Sequence, residues 1–366
     1  MTRLADRLPD FPWDRLAAAK ALAEQHPDGI VDLSVGTPVD PVPLSVRTAL
    51  ADAADSPGYP LTAGTTALRQ AASAWALRTL RASVDPESIL PTIGSKELVA
   101  LLPTLLGLGP GDTVVIPELA YPTYDVGAKV AGCDVVVSDS THALGPQRVS
   151  MVWVNSPSNP TGRVLPAEHL AKVVAWARER DAIVVSDECY LELAWETTPV
   201  SILDERVCGG SFDNLLAVHS LSKRSNLAGY RAGLVLGDPA LVRSMLEARK
   251  HLGLMVPAPV QAAAVAALGD DIHVAEQRHR YARRRDHLLS ALLDAGFSIE
   301  HSEAGLYLWA TRDESCWDTV GWLAERGILA APGEFYGVAG ARHVRVALTA
   351  TDERIATAVR RLARAA

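Results

Sequence analysis

Two short apolar runs, residues 215–218 and 234–236, flank the stretch His219-Ser-Leu-Ser-Lys-Arg-Ser-Asn-Leu-Ala-Gly-Tyr-Arg-Ala-Gly233. The runs predict buried strands, and the Ser- and Gly-rich connection between them holds Lys223 and Arg231. An amine that is shielded from water loses its proton more easily, so Lys223 is suited to react with an aldehyde cofactor. The planar fork of Arg231 matches a phosphate group. A loop with two solvated cations explains the same residues, so the rest of the chain must decide.

The composition excludes several classes of partner. The chain has 366 residues, which is typical of about two domains, and its apolar fraction of 48% predicts a large core. The net charge of −8 and the pI of about 5.7 argue against binding to nucleic acid or to an anionic membrane. No apolar run is long enough to span a bilayer.

The cysteines point to neither disulfides nor a metal site. Cys133, Cys189, Cys208 and Cys316 are scattered without the spacing of metal ligands or of a disulfide framework. The first residues are charged and interrupted by proline, unlike a signal peptide. These features predict a soluble cytoplasmic protein without a bound metal.

From residue 112 onward, short apolar strands alternate with helices, which predicts a mostly parallel, doubly wound α/β sheet in a large domain. After residue 265 the helices are fewer, which indicates a smaller α+β domain. We therefore predict an N-terminal arm that is also part of the small domain (1–40), a large domain (41–265) and a C-terminal small domain (266–366). The glycines of Gly107-Leu-Gly-Pro-Gly111 follow a helix and precede a strand, the reverse of a dinucleotide-binding fingerprint.

Polar residues follow the predicted strands, at the sheet edge where ligands of such folds bind. Pyridoxal 5′-phosphate would use an amine, an anion for its ring nitrogen, donors for its phenolate, an aromatic face and a phosphate cradle. The amine would be Lys223, the anion Asp187, the phenolate donors Tyr190 and Asn159, and the aromatic face Tyr121. The phosphate cradle would consist of Ser95, the amide of Lys96, Ser220 and Arg231. Lys223 would also move the substrate's proton. Each residue has an ordinary structural explanation as a cap, a turn or a core residue, but their convergence on one edge favours the cofactor.

Several motifs resemble those of the fold-type-I aminotransferases (class I/II), and the similarity covers essentially the whole chain. The motifs are Asn159-Pro-Thr-Gly162, Asp187-Glu-Cys-Tyr190, Ser220-Leu-Ser-Lys223 and Gly229-Tyr-Arg-Ala-Gly233. The resemblance implies pyridoxal phosphate as the cofactor. It also implies a homodimer with shared active sites, in which Tyr59 reaches the partner subunit's phosphate. Arg345 matches the arginine that binds the substrate α-carboxylate, with help from Asn159 and the turn at Gly36.

Other segments are similar to the N-succinyldiaminopimelate aminotransferases of actinobacteria (the DapC type). These segments are Leu8 to Trp13, Asp32 to Pro41, Gly94 to Leu98 and His251 to Pro257. The resemblance implies a ping-pong transfer from L-glutamate to N-succinyl-2-amino-6-oxopimelate, a step of diaminopimelate and lysine biosynthesis. No arginine for a distal carboxylate can be placed with this pattern. Arg249, Lys250 and His251 are candidates, and an exposed helix face explains these three equally well.

Three alternatives remain open from the sequence. The first is an aminotransferase for aspartate, aromatic amino acids or LL-diaminopimelate, and the second is a pyridoxal-phosphate-dependent C–S β-lyase, because one site supports several reactions. The third is a module that senses the cofactor without turnover. The acidic chain, the lack of a helix-turn-helix extension and the full set of chemical residues argue against that third alternative.

Overall fold

The computed structural model describes residues 3–363, which form a large seven-stranded, a small four-stranded and a two-stranded β-sheet with helices packed against them. The strands are β1 (Val31–Asp32), β2 (Ile89–Ile93), β3 (Thr113–Ile116), β4 (Asp134–Val137), β5 (Met151–Asn155), β6 (Ile183–Asp187), β7 (Leu215–Ser220), β8 (Ala232–Gly237), β9 (Ser298–Ile299), β10 (Tyr307–Thr311), β11 (Ile328–Leu329), β12 (Ala331–Pro332) and β13 (Val344–Ala347). The α-helices are α1 (Ala17–Glu24), α2 (Leu44–Asp52), α3 (Thr66–Trp75), α4 (Gly94–Leu105), α5 (Thr123–Ala131), α6 (Ala167–Arg178), α7 (Glu205–Cys208), α8 (Leu221–Arg224), α9 (Pro239–Leu252), α10 (Ala258–Leu268), α11 (Ile272–Asp294), α12 (Cys316–Ala324) and α13 (Asp352–Ala363).

The large sheet has seven strands in the order β2-β8-β7-β6-β5-β3-β4. Five neighbours, β7 to β4, run parallel, whereas β8 is antiparallel to both β7 and β2. The central strands are buried along their whole length, as expected for a sheet covered on both faces. The predicted α/β fold with a mostly parallel sheet is confirmed.

Strand β2 was not expected from the sequence, because Pro91 lies in its middle. Proline lacks a backbone N–H and is therefore confined to edge strands. In the structure β2 is the outermost strand, and Pro91 pairs with Leu234 of β8. The strand matters for the site because it leads directly into α4 at Gly94.

The small sheet, in the order β12-β13-β10-β9, belongs to a second hydrophobic cluster. Leu16, Val31 and Leu33 from the start of the chain pack in this cluster with residues 281–362. Strand β1 also pairs in parallel with β11. This packing supports the proposed assignment of residues 1–40 to the arm and small domain, with 41–265 and 266–366 as the other divisions.

Within residues 3–363, no helix combines the length and the apolar character that crossing a membrane demands.

Candidate active site

The polar residues predicted from the sequence follow neighbouring strands of the large sheet. The register places Asn155 beside Asp187, Asp187 beside Val218, and Ser220 beside Gly233. Lys223 lies in α8, one turn beyond the end of β7. Because β8 is antiparallel, its first residues lie at the same edge as the last residues of β7 and β2. Arg231 and Gly94 therefore meet there.

The Asp187 carboxylate is buried and held by two donors. The Tyr124 hydroxyl donates to Oδ2 at 2.8 Å, and the Cys189 backbone N–H donates to Oδ1 at 3.1 Å. Burial, together with the negative charge of Asp187, raises the pKa of Tyr124 well above its usual value. Tyr124 also stacks on Trp153, with ring centroids 4.5 Å apart. The carboxylate therefore has a fixed orientation at the sheet edge.

Gly94 and Arg231 form a compact pair at the start of α4. A Cβ on Gly94 would overlap the Arg231 guanidinium, and Gly94 has a φ of +70°. Arg231 is itself left-handed at φ +57° and donates from Nη1 to the Ala228 carbonyl at 2.9 Å. Ser95 follows in the first turn of α4, where free backbone N–H groups attract anions. This combination of amides and guanidinium suits a phosphate.

A second polar cluster surrounds Arg345, which is buried on β13. Its Nη1 donates to Asn159 Oδ1 at 2.9 Å, and its Nη2 donates to the Ser34 carbonyl at 2.8 Å. Asn159 is itself held in place, because its backbone N–H donates to Asn155 Oδ1 at 2.7 Å. Three distant parts of the chain, at Ser34, Asn159 and Arg345, each supply a part of this cluster.

Tyr307, which the sequence motifs do not single out, also contacts this cluster. Its ring centroid lies 3.8 Å from Arg345 Cζ, and its hydroxyl lies 3.2 Å from that of Tyr190. The alternation of β10 was the available signal, because it places Tyr307 and Trp309 on the same face of the small sheet as Arg345, the antiparallel partner of Trp309 on β13. Tyr121, by contrast, was predicted. It is half-buried and packs edge-on against Tyr124, and burial raises the pKa of Tyr121 to about 12.

Other predicted residues have different surroundings. Ser220 caps α8, with its Oγ accepting from the Ser222 N–H at 3.2 Å. The Lys96 side chain points to the Phe11 ring, 5.5 Å away, so that only its backbone is available to a phosphate. A Cβ on Gly36 would overlap the Tyr307 hydroxyl. Tyr59 is 95% exposed and is not joined to the rest of the cluster within the subunit.

Arg249, one of the three candidates for binding a distal carboxylate, is already paired within the chain. Arg249 is fully buried and donates from Nη1 and Nη2 to the Glu97 carboxylate at 2.7 and 3.2 Å. Lys250 forms an exposed pair with Glu247, and His251 is exposed at the end of α9. Lys250 and His251 thus lie on an exposed face of α9, whereas Arg249 is part of the core.

The model of the aminotransferase class I and II family matches residues 28–362. The chain belongs to this family. It is 63% identical, over 97% of its length and 85% of the relative's, to a probable aminotransferase of Mycobacterium tuberculosis. It is 61% identical to 4-dedimethylamino-4-oxo-anhydrotetracycline transaminase OxyQ of Streptomyces rimosus, over 97% of this chain and 99% of OxyQ. A solved structure of a probable N-succinyldiaminopimelate aminotransferase from Thermus thermophilus superposes with a TM-score of 0.88 at 27% identity, covering 97% of this chain and 100% of that one.

This enzyme is therefore a transaminase, and its family depends on pyridoxal phosphate. The residues at the sheet edge fit that cofactor. Lys223 supplies an amine and Asp187 a buried carboxylate. Gly94 has no side chain, so the space beside the Arg231 guanidinium stays open to the phosphate group. The part of the chain that the structure describes holds no cluster of His, Cys, Asp and Glu suited to a metal ion.

Proposed function

We propose that the enzyme transfers the amino group of L-glutamate to N-succinyl-2-amino-6-oxopimelate by a ping-pong mechanism, as a succinyldiaminopimelate transaminase. The Arg345–Asn159 pair carries this proposal. Both half-reactions use a substrate with an α-carboxylate, and a buried guanidinium with free N–H groups can bind either one. The fold shared with the probable N-succinyldiaminopimelate aminotransferase of Thermus thermophilus adds support.

In this proposal, Lys223 is the catalytic residue. Bound pyridoxal phosphate supplies an electron sink for the substrate's α-carbon. The Lys223 amine carries a proton between that carbon and the cofactor in each half-reaction. Lys223 lies in α8, directly after β7, so its amine is at the sheet edge where the other proposed cofactor-binding residues converge.

The remaining roles follow from the contacts. Asp187, fixed by two donors, would hold the proton on the cofactor's ring nitrogen. Tyr190 and Asn159 would donate to its phenolate, and Tyr121 would pack against its ring. The phosphate would be bound by Ser95, the amide of Lys96, Ser220, Arg231 and the partner subunit's Tyr59. The exposure of Tyr59 supports this last role and with it a homodimer.

The high identity to OxyQ favours a second candidate function, the amination of an oxo-anhydrotetracycline. Such an acceptor is not an α-keto acid, so that Arg345 would act only in the half-reaction with the amino donor. Aminotransfer to other keto acids and β-lyase chemistry need no change in the residues described.

The visible spectrum of the purified holoenzyme tests these candidates. L-Glutamate should bleach the cofactor band and yield 2-oxoglutarate. N-succinyl-2-amino-6-oxopimelate should then restore the band, whereas oxaloacetate should not. Return of the band only with an oxo-anhydrotetracycline or with another keto acid would contradict the proposed acceptor. Turnover of cystathionine without any keto acid would favour the lyase.

A further inference from the structure

Tyr307 occupies the space between the two polar clusters of the site. Its ring packs against the Arg345 guanidinium at 3.8 Å, and its hydroxyl lies 3.2 Å from the Tyr190 hydroxyl. Both tyrosines are buried, and their rings meet edge-on with centroids 5.8 Å apart. One side chain therefore contacts the residue proposed for the substrate carboxylate and the residue proposed for the cofactor phenolate.

Gly36 fixes the position of the Tyr307 hydroxyl from the opposite side. A Cβ on Gly36 would overlap the hydroxyl oxygen and the neighbouring ring carbon. A glycine at this place in the N-terminal arm lets the backbone approach closely, and the hydroxyl is left in contact with Tyr190. The close approach is a reason for glycine at this position in addition to the substrate-binding role predicted for the Gly36 turn.

Either hydroxyl can donate in the hydrogen bond between Tyr307 and Tyr190. Because the Tyr190 proton is assigned above to the cofactor's phenolate oxygen, the Tyr190 oxygen would accept and Tyr307 would donate once the cofactor is bound. Burial acts to raise the pKa of Tyr307, but the positive charges of Arg345 and Lys223, together with the hydrogen bond to Tyr190, lower it. Burial raises the pKa of Tyr190. The titratable groups that act on Tyr307 are Arg345, Lys223, Tyr190, Cys189, Tyr121, Tyr281 and Tyr336.

We propose that Tyr307 is a positioning residue with two separate functions, in which its hydroxyl donates to Tyr190 and its ring supports Arg345. A phenol that accepts one hydrogen bond donates a stronger one, because the two bonds polarise each other. Tyr307 would therefore strengthen the bond that Tyr190 donates to the cofactor oxygen. The ring, stacked on the guanidinium, holds Arg345 ready for a carboxylate. This inference rests on the roles proposed above for Tyr190 and Arg345.

Two substitutions separate the functions. Tyr307→Phe removes the hydroxyl and keeps the ring, so the holoenzyme's visible band should titrate about 0.5 pH unit higher, because weaker donation leaves more negative charge on the cofactor. Its affinity for maleate, a dicarboxylate that cannot react, should stay within twofold. Tyr307→Leu also removes the ring, and its maleate affinity should fall roughly tenfold. Tyr281→Phe removes a buried hydroxyl of the same hydrophobic cluster that donates to Asn226 Oδ1 at 3.5 Å, outside the Tyr307–Tyr190 pair, and should change neither value.

Gly36→Ala provides an independent check. The added methyl group would displace the Tyr307 hydroxyl, so the band should titrate higher in the wild-type background. In the Tyr307→Phe background, Gly36→Ala should have no further effect on the titration, because the hydroxyl is absent.

The outcomes distinguish this inference from the proposed function. Tyr190→Phe should move the titration further than Tyr307→Phe does. If Tyr190→Phe moves it and Tyr307→Phe does not, the link through Tyr307 is wrong and the proposed site stands. If neither variant moves it, the proposed role of Tyr190 is wrong and the inference fails with it.

Discussion

Arg345 shows how single residues prepare the site. Its charge is buried between the rings of Tyr307 and Tyr336, at 3.8 and 4.8 Å from Cζ. Asn159 Oδ1 and the Ser34 carbonyl accept from its two terminal nitrogens. Burying a cation is unfavourable unless it is well paired, and here only dipoles and aromatic faces oppose the charge. An incoming carboxylate would provide the missing negative partner.

Arg345→Ala should therefore weaken every substrate that carries an α-carboxylate. We expect the kcat/KM for L-glutamate to fall roughly 100-fold, the value expected for a charged, bidentate contact. The proposed keto-acid acceptor should lose a similar factor, measured in single-turnover half-reactions. Arg342→Ala, an exposed neighbour paired with Asp313, is the matched control and should change neither rate. A loss confined to glutamate would contradict an α-keto acid as the acceptor.

The sequence identified the residues that lie in motifs, because each carries its chemistry in its type and its place after a strand. It did not reveal residues that act through distant contacts. Tyr124 binds Asp187 across 63 positions, and Tyr307 reaches Tyr190 across 117. Arg249 looked available on a basic helix because its partner Glu97 is 152 positions away. Such pairs depend on packing that no local pattern encodes.

At the level of elements, the start of α4 is held by the ion pair between Glu97 and Arg249, which lie 152 positions apart in the sequence. Glu97 Oε2 accepts from the Ile93 N–H at 3.1 Å, and its carboxylate binds Arg249 near the end of α9. Arg249 also donates to the Leu254 carbonyl at 3.3 Å. The pair thus fixes the turn from β2 into the helix that presents Gly94 and Ser95. We infer that the Glu97–Arg249 pair holds the backbone of Gly94 and Ser95 in the position that would bind the phosphate.

Arg249→Met should lower the free energy of unfolding by about 3–5 kcal/mol, because it leaves the Glu97 carboxylate without its partner. The double variant Arg249→Met/Glu97→Leu should recover a large part of this loss. Lys250→Ala, which removes only an exposed pair with Glu247, should stay within about 0.5 kcal/mol of wild type. Urea unfolding monitored by circular dichroism measures all three. Equal effects of Arg249→Met and Lys250→Ala would contradict a structural role for the pair.

The element boundaries also show what the sequence encodes locally. The strands predicted at 215–218 and 234–236 are observed as β7 and β8 within about two residues, because their apolar patterns are clear. β2 was missed because Pro91 opposes a strand until its edge position is known.

For the whole molecule, the sequence predicted an α/β fold and one site at the sheet edge. The structure adds that the Arg345 cluster is assembled from three distant parts of the chain, with Ser34, Asn159 and Arg345 in direct contact. Movement between these parts would therefore change the carboxylate site. The exposed Tyr59, in the loop before α3, supports our proposal that a second subunit completes the phosphate site.

We propose that Lys223 carries the chemistry of this transaminase. The visible spectrum of Lys223→Ala with pyridoxal phosphate and L-glutamate, together with an assay for 2-oxoglutarate, tests this role. Lys172→Ala, at a lysine on α6, is the control and should behave as wild type. We expect Lys223→Ala to show only the absorbance of free cofactor and to form no 2-oxoglutarate over many turnovers. Full turnover by Lys223→Ala would contradict the assignment of the site.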